Sequence, residues 1–116
     1  MEKYDNEKPR VDLVPSSFVI EVAKVLTFGA NKYEADQWRD GTDYSRIYAA
    51  CLRHMLAWHE GEDKDPESGL SHLAHAACNL AFLLEYIDTN TGCDDRYVYS
   101  YRGFDVSVSE SDLRDT

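Results

Sequence analysis

Positive charge is scarce in this chain of 116 residues. It has 12 lysines and arginines against 22 aspartates and glutamates, which gives a formal net charge of -10. Proteins that bind nucleic acids or anionic lipid surfaces need positive charge to neutralise phosphate groups. The composition therefore argues against a nucleic-acid partner and against a membrane partner. It favours a cation, either free or carried by a nucleotide.

Long hydrophobic runs are also missing. No apolar stretch reaches the length of about 18 residues that a membrane span requires, and the opening residues MEKYDNEKPR are too charged for a secretory signal. The three cysteines form no CxxC pair, and their odd number does not suit a disulfide framework. We therefore expect a soluble cytoplasmic protein whose thiols are reduced.

Several catalytic motifs are absent as well. The chain has no GxxxxGK[ST] string, which excludes a P-loop, and no GxSxG nucleophile elbow. It also has no histidine followed by aspartate, the doublet that an HD-type metal phosphohydrolase needs. A chain of 116 residues fits one compact domain and is too short for a multidomain enzyme.

The sequence does contain helical periodicity. Three segments carry apolar residues at steps of three and four, which is the spacing of one helix face. We expect the first helix to end near Tyr33, the second to begin at a Thr42 or Asp43 cap, and the third to open at Ser68 and Gly69. The predicted buried stripes are Phe18, Val22, Val25, Leu26 and Gly29; Tyr44, Ile47, Tyr48, Cys51, Leu52 and Met55; and Leu73, Ala76, Ala77, Leu80, Leu84 and Ile87.

Both ends of the chain differ from this helical middle. The N-terminal stretch holds two prolines and predicts an extended arm, attached to the body by Val11, Leu13 and Val14. After Asp88 the pattern alternates aromatic or β-branched residues with polar ones, which indicates a short strand, a hairpin or an arm that wraps a partner. The sequence thus predicts an all-α domain over residues 1–96, followed by a strand-like, partly disordered arm over residues 97–116.

The densest chemical signal lies between residues 54 and 79. His72, His75 and Asn79 are three and four residues apart, so they share one face of the third helix. If the second helix continues past Gly61, one of its faces carries His54, Trp58, Glu62 and Asp65. A short connection makes the two helices antiparallel and brings the two groups together.

This convergence of acids and imidazoles predicts a divalent-metal site. Five acids occur within eight positions, directly before the two histidines. The predicted ligands are Glu62, Asp65, Glu67, His72 and His75, of which Glu62 and His75 are also assigned to catalysis. Carboxylates favour Mg²⁺ or Mn²⁺, whereas imidazoles favour Mn²⁺, Fe²⁺ or Zn²⁺. The alternative is that the acids form a solvated surface run and that the histidines are ordinary packed residues.

The few positive side chains are candidates for binding phosphate. The predicted substrate-binding residues are Lys8, Arg10, Lys32, Trp38, Arg39, Arg53 and Asn79. Trp38 is placed to stack on a base, or alternatively to cap the core. The alternative for the lysines and arginines is that they are scattered salt-bridge partners in a very acidic protein.

Several strings resemble a known family. They are KPRVDLVP, VAKVLTFGANKY, QWRDGTDYSR, RHMLAWHEGEDKDPESG and HLAHAACNLAFLLE, with DDR further along. In order and spacing they are similar to the phage-encoded MazZ family of dATP/dGTP diphosphohydrolases, a branch of the all-α, MazG-like nucleoside triphosphate pyrophosphohydrolases. The resemblance covers roughly residues 8–96 and leaves out the C-terminal arm.

The resemblance implies a helical homo-oligomer, a homodimer or homotetramer, working in the cytoplasm of a phage-infected bacterium. It implies purine deoxynucleoside triphosphates as substrates, with Mg²⁺ or Mn²⁺ as cofactor and two or more ions present with the substrate. Water activated by the metal would attack the α-phosphate, releasing dAMP or dGMP and pyrophosphate. Oligomerisation is also expected from size, because three helices of about 18 residues bury their apolar stripes poorly alone.

One feature departs from the wider superfamily, which carries its metal on an ExxE helix followed by an ExxD helix. The third helix here has His72 and His75 at the place of the second acidic pair. The nearest correspondence is Glu62 with Asp65 for the first pair and His72 with His75 for the second. The spacing is preserved while the ligand chemistry changes.

Two other functions fit parts of the pattern. A small acidic phage protein could block a host DNA-binding protein by presenting DNA-like charge, in which case its acids would spread along one exposed face. A zinc-stabilised structural domain could use His72, His75 and Cys78, although that helical spacing closes a tetrahedral site poorly.

Overall fold

Three helices form most of the described part of the chain, which covers residues 8–99 of this computed structural model. Helix α1 spans Ser16–Lys32, helix α2 spans Tyr44–His59 and helix α3 spans His72–Thr89. Short 3-10 turns, Val11–Leu13 and Gln37–Asp40, precede α1 and α2. No strand occurs within residues 8–99, and the predicted all-α fold is confirmed. None of these helices is long and apolar enough to cross a membrane.

Local chemistry explains where the helices begin and end. Pro15 directly precedes α1, where its fixed φ and missing N–H cost the helix nothing. The Ser71 hydroxyl accepts a hydrogen bond from the backbone N–H of Leu73 and so caps the start of α3. The residue that follows the last residue of this helix, Asn90, is its C-cap and adopts a left-handed conformation with φ of 55°. Asparagine tolerates that conformation better than most residues do.

The second helix does not continue past Gly61, which was the condition for Glu62 and Asp65 to share a helix face with His54. α2 ends at His59, and Gly61 has φ of 103°, which a residue with a side chain would adopt only under strain. Glu62 and Asp65 therefore occupy the connection between α2 and α3. They do not share a helix face with His54.

The third helix begins later than predicted, at His72 and not at Ser68. The preceding residues form an ordered connection, in which Lys64 and Ser71 form an isolated antiparallel bridge. The backbone N–H of His72 donates to the carbonyl of Asp63 at 3.0 Å, which ties the start of α3 to this connection. Backbone hydrogen bonds within the connection hold its acidic residues in place. A continued second helix does not do so.

Helix α3 is the central element of the fold. It runs antiparallel to α2, because His54 pairs with His72 at one end and Tyr44 stacks near Tyr86 at the other. α1 packs against α3 through Val25. α1 and α2 do not contact each other within the described residues, so a cleft is left between them above α3.

The core of the single chain is smaller than the sequence predicts. The buried apolar residues of the described range are Val25, Cys51, Ala74, Ala76, Cys78 and Tyr86. Three of them, Val25, Ala74 and Cys78, form a cluster against which Val22, Leu26, Leu70 and Phe82 pack. Many residues of the predicted buried stripes are exposed to solvent. The exposed fraction is 69% for Leu84 and 58% for Tyr48. The expectation of burial was wrong for these positions of the single chain. The physical reason is that three helices cannot cover both sides of the α2–α3 hairpin.

The arms also differ from expectation. Residues Val11 and Leu13, expected to attach the N-terminal arm to the body, are 78% and 69% exposed, and they lie in a 3-10 turn. Residues 97–99 of the expected C-terminal strand have no regular secondary structure, and the rest of that expectation lies outside the described residues.

The segment after α3 caps the start of α2. Asp43 is the N-cap residue of α2, but its side chain makes no capping bond. The Asp95 carboxylate instead accepts hydrogen bonds from the backbone N–H of Ser45, at 2.9 Å, and from the Ser45 hydroxyl. Gly92 makes this approach possible, since a Cβ there would lie 2.7 Å from the carbonyl oxygen of Thr42. A distant carboxylate thus satisfies the helix terminus.

We expect the three thiols to differ sharply in reactivity. Cys51 and Cys78 are buried, and burial raises the pKa of the Cys78 thiol to about 11, whereas Cys93 is exposed. Because the thiolate is the reactive form, a thiol reagent at pH 8 should label Cys93 quickly and the other two only after denaturation. Mass spectrometry of the labelled protein measures this. Equal labelling of all three thiols in the folded protein would contradict the described packing.

Candidate functional site

A cavity of about 490 Å³ occupies the cleft between α1 and α2. Its floor is α3, through His75, Asn79 and Phe82, and the 33–42 connection forms one wall. Its size lies within the range of roughly 300 to 1,000 Å³ that is typical of small-molecule sites. The two ends of the cavity differ in chemistry, since one is aromatic and the other carries imidazoles and charged groups.

The aromatic end is built around Trp38. The Trp38 and Phe82 rings stack with their centroids 4.5 Å apart and an angle of 26° between their planes. The Tyr86 hydroxyl donates to the Trp38 carbonyl at 2.8 Å, and Tyr86 is only 2% exposed. These contacts hold the loop that carries Trp38 against α3, so the shape of this end is fixed by α3.

Arg39 reinforces the same loop. Its guanidinium bonds Asp36 and Glu85 at 2.9 Å each, and its central carbon lies 4.5 Å from the Trp38 ring centroid. The ion pairs are largely exposed and contribute little energy individually. Their joint effect is to join the loop to the middle of α3.

The polar end of the cavity is lined by His54 and His75. Their rings are stacked, with centroids 4.5 Å apart and planes only 9° from parallel. At the rim, the Lys32 ammonium bonds the Glu67 carboxylate at 2.9 Å, which connects the end of α1 to the α2–α3 connection. This end therefore presents imidazole nitrogens together with one positive and one negative group.

Behind this wall lies a chain of hydrogen bonds through a buried histidine. His72 is 4% exposed, its Nε2 is 2.7 Å from Oε1 of Glu62, and its Nδ1 is 2.8 Å from Nδ1 of His54. A carboxylate can only accept a hydrogen bond, so the Nε2 atom of His72 is assigned the proton. The Nδ1 atom then presents a lone pair to His54.

A second polar cluster consists of Asp65, Ser68 and His75. The Asp65 carboxylate accepts from the backbone N–H of Ser68 at 2.9 Å, and it lies 4.0 Å from Nε2 of His75. The Ser68 hydroxyl is 2.7 Å from the same His75 nitrogen. The tight turn that starts at Asp65 therefore positions both the carboxylate and the hydroxyl against α3.

Burial controls the charge of these groups. Desolvation lowers the pKa of His54, and the neighbouring rings of His75 and His72 lower it further. Desolvation likewise lowers the pKa of His75, although Asp65 opposes this shift. Burial disfavours the charged form of Asp65, but the hydrogen bonds from Ser68 outweigh it and hold that pKa below its usual value. At neutral pH the site therefore contains uncharged imidazoles beside an ionised carboxylate, a combination suited to binding cations.

Asn79 lies between the two ends of the cavity. It is 9% exposed, it lines the cavity, and its side chain makes no hydrogen bond to any residue of the described range 8–99. Its amide atoms are not enclosed, because no side-chain polar atom of the described residues is both buried and unpartnered, so they are open to water or a ligand. Its position suits contact with a molecule that spans the cavity.

The structure brings together most of the predicted site residues. Glu62, Asp65, His72 and His75 form one cluster, and Glu67 faces Lys32 across the rim. The predicted residues that line the cavity are Lys32, Trp38, Glu67, His75 and Asn79. The predicted metal ligands Glu62, Asp65 and His72 lie behind the cavity wall and do not line it. The predicted substrate-binding residues that do not line it are Lys8, Arg10, Arg39 and Arg53; of these, Arg10 pairs with Asp12.

Sequence reasoning did not assign three residues of the site: His54, Ser68 and Phe82. For His54 the signal was present, because it lies on α2 opposite the start of an antiparallel α3. Nothing in the sequence singled out Ser68, since its role depends on the turn that starts at Asp65. His54, Asp65 and His72 each offer one ligand atom, and these atoms lie within 4.8 Å of one another. The site can therefore hold a metal ion.

Comparison with known proteins identifies the family of the chain. The family model described as dATP/dGTP diphosphohydrolase, N-terminal, matches residues 1–96. A dATP/dGTP diphosphohydrolase of Salmonella phage PMBT28 is 37% identical over 94 residues, which are 81% of this chain and 32% of that protein. The chain thus spans about a third of the length of this relative. No solved structure is significantly similar to the chain. The matched residues include all three helices and every residue that lines the cavity. The chain therefore belongs to the dATP/dGTP diphosphohydrolase N-terminal family.

Proposed function

We propose that the chain hydrolyses dATP and dGTP to dAMP and dGMP, releasing pyrophosphate, in the cytoplasm of a phage-infected bacterium. The observation that carries the proposal is the cavity itself, which is aromatic at one end and lined by imidazoles and Lys32 at the other. A deoxynucleoside triphosphate has the same asymmetry, with an aromatic base at one end and phosphates at the other. The family to which the chain belongs, and the name of its phage relative, support this substrate class.

The cavity suggests one orientation for the nucleotide. The base would lie against the Trp38 and Phe82 end, and the triphosphate would extend toward His54 and Lys32. Asn79, midway along the floor, would donate a hydrogen bond from its otherwise unpaired amide. Lys32 would offer positive charge to the phosphates, exchanging its surface pairing with Glu67 for a stronger charge-assisted contact.

The residues of the polar end fit a divalent cation. The donor set combines imidazole nitrogens with carboxylate oxygens, and its most buried member is His72. We propose that a divalent cation binds at this end, within reach of Asp65, His72 and the neighbouring Glu62, His75 and Glu67, and that two or more ions, Mg²⁺ or Mn²⁺, serve the reaction when substrate is bound. When bound, the cation supplies charge neutralisation for the triphosphate and lowers the pKa of water.

The chain's own groups would manage the proton in this reaction. Water attacks the α-phosphorus, the bond from that phosphorus to the bridging oxygen breaks, and pyrophosphate leaves with the bond electrons. His75 is uncharged at neutral pH because burial lowers its pKa, so one ring nitrogen can accept the proton that the water loses. Glu62 would keep the proton of His72 on Nε2.

The alternative function, an acidic phage protein that blocks a host DNA-binding protein, has less support. It requires acidic side chains that are unpaired and spread along one exposed face. Glu62 bonds His72 and Asp65 bonds Ser68, while Glu67 pairs with Lys32. The central acids of the run therefore point toward partners inside this chain.

We expect purified full chain to convert dATP and dGTP to the monophosphates and pyrophosphate in the presence of Mg²⁺ or Mn²⁺. Chromatography of all eight common nucleoside and deoxynucleoside triphosphates after incubation measures both the reaction and its preference. Glu62→Gln and His75→Ala should lose activity while circular dichroism shows unchanged helicity. Glu21→Gln, on α1 and paired with Lys24, is the matched control and should retain activity. Diphosphate and orthophosphate as primary products would contradict the proposal.

Trp38 provides a separate test of base recognition. Loss of a stacking ring costs about 1 to 3 kcal/mol per base, so Trp38→Ala should raise KM for dGTP roughly 5- to 150-fold. Trp38→Phe should retain most of the affinity, because a ring still packs against Phe82. Steady-state kinetics measure both variants. An unchanged KM and kcat in a folded Trp38→Ala protein would assign Trp38 to packing alone.

We further propose that a second copy covers the exposed apolar face of the α2–α3 hairpin, giving a homodimer or homotetramer. The face consists of Tyr48, Leu52, Met55, Leu73, Leu80, Leu84 and Ile87, all at least 40% exposed. An exposed apolar surface of this extent on one side of a small domain is typical of an interface.

The oligomer can be tested by charging the centre of this face. Leu84→Glu should dissociate the assembly, because a buried unpaired carboxylate in the interface is costly. Light scattering at micromolar concentration should give at least a dimer for the parent and a monomer for the variant. Substitution of Asp88 by Asn, on the same helix and outside the face, should leave the mass unchanged. A monomeric parent would contradict the proposal.

A further inference from the structure

We propose that Nδ1 of His54, Nδ1 of His72 and the carboxylate of Asp65 together bind one first-row transition-metal ion in preference to Mg²⁺, and that Glu62 positions His72 without ligating the ion. The proposal deepens the proposed function by naming the ion class and the ligand set of the same site. It concerns binding of the ion alone, so it does not require the chain to hydrolyse nucleotides.

The first support is the contact between two imidazole nitrogens. Nδ1 of His54 and Nδ1 of His72 are 2.8 Å apart. The Nε2 proton of His72 is used by Glu62 at 2.7 Å, which leaves Nδ1 of His72 without a proton when the ring is neutral. Two nitrogens can approach this closely only if a proton or a cation lies between their lone pairs. In the chain without an ion, the Nδ1–H of His54 therefore donates to Nδ1 of His72, and an ion that displaces this proton would meet two nitrogen lone pairs at one point.

The second support is distance. Imidazole nitrogens bind transition ions at about 2.0 to 2.1 Å, so two of them at right angles around one ion lie about 3.0 Å apart. The observed separation of 2.8 Å differs from this by little. A small rotation of the two rings would admit an ion in place of the shared proton. Asp65 offers a carboxylate oxygen within 4.8 Å of one ring nitrogen of each histidine, so it can supply a third ligand on the same side.

The third support is the surroundings of each ligand. His72 is 4% exposed, and the contact from its outer nitrogen to Glu62 is the carboxylate–histidine arrangement that fixes the ring of a metal ligand. The Asp65 carboxylate is oriented by the backbone N–H of Ser68. Both groups are thus held in place by the chain before any ion binds. Glu62, with one oxygen already used by His72 and a side chain 52% exposed, fits a supporting role better than a ligand role.

The donor chemistry selects the ion. Two imidazole nitrogens and one carboxylate suit Mn²⁺, Fe²⁺, Co²⁺ or Zn²⁺, whereas Mg²⁺ is bound almost entirely by oxygen atoms. A site with this donor set should therefore retain a transition ion in the presence of excess Mg²⁺. Any Mg²⁺ that serves the reaction would then arrive with the phosphates of the substrate and would not occupy this triad.

The test uses the full chain, stripped with a chelator and then titrated with Co²⁺ alone, without nucleotide. The visible absorption of Co²⁺ reports nitrogen ligation, and calorimetry gives the stoichiometry. We expect one high-affinity Co²⁺ per chain, displaced by Zn²⁺ and not by a hundredfold excess of Mg²⁺. Loss of the absorption on adding Mg²⁺, or failure of Co²⁺ and Mn²⁺ to bind at all, would overturn the proposal and would indicate a shared proton in place of a metal.

Variants separate the ligands from the supporting residue. His54→Ala should remove the Co²⁺ absorption, whereas Glu62→Gln should keep it and weaken affinity about 10- to 100-fold. His59→Ala, an exposed histidine at the end of the same helix, is the matched control and should bind Co²⁺ normally. Because the buried His72 could be needed for folding, Asp65→Asn serves as the second ligand variant, with helicity checked by circular dichroism. Unchanged binding in a folded His54→Ala protein would contradict the ligand set, whatever the outcome of the nucleotide assays.

Discussion

The packing of α3 between α1 and α2 is the constraint on which the rest of the structure depends. Small side chains make it possible, since Ala74 and Cys78 face α1 while the carbonyl of Ala76 accepts a weak hydrogen bond from the Cys51 thiol of α2. Because the two outer helices pack on α3 and not on each other, the space between them stays open. The cavity is therefore a consequence of the three-helix arrangement, in which no fourth helix among residues 8–99 fills the space.

The polar end of this cavity is an exception to ordinary core packing. A buried histidine pair costs free energy unless its nitrogens are satisfied. Here Glu62 and His54 satisfy His72 within the described range. Glu62 belongs to the acidic connection between α2 and α3, and backbone hydrogen bonds hold this connection in place. One of them joins the Asp65 N–H to the Leu70 carbonyl at 2.8 Å. Ordering this loop costs conformational entropy, and the result is a fixed set of donor atoms. Such ordering is typical of a binding site and unusual for a solvated run of charges.

The same three-helix arrangement leaves apolar surface on the side of the α2–α3 hairpin that faces away from the cavity. Within residues 8–99 the interior contains only a few buried side chains, among them Val25, Cys78 and Tyr86. A domain of this size with so small an interior is marginally stable alone. One face of the hairpin lines the cavity, and the proposed second copy would cover the apolar side chains of the opposite face.

The sequence by itself determined the class of fold and which polar side chains share one face of α3. Apolar spacing predicted three helices, and the helical spacing of His72, His75 and Asn79 correctly placed them on neighbouring turns of α3. The sequence could not show that Gly61 ends the second helix, because a glycine at that point is compatible with either a helix or a break. It also could not pair His54 with His72 or bring Ser68 to His75. Those contacts join residues from separate elements, and only packing decides which side chains of two helices and a loop come within bonding distance.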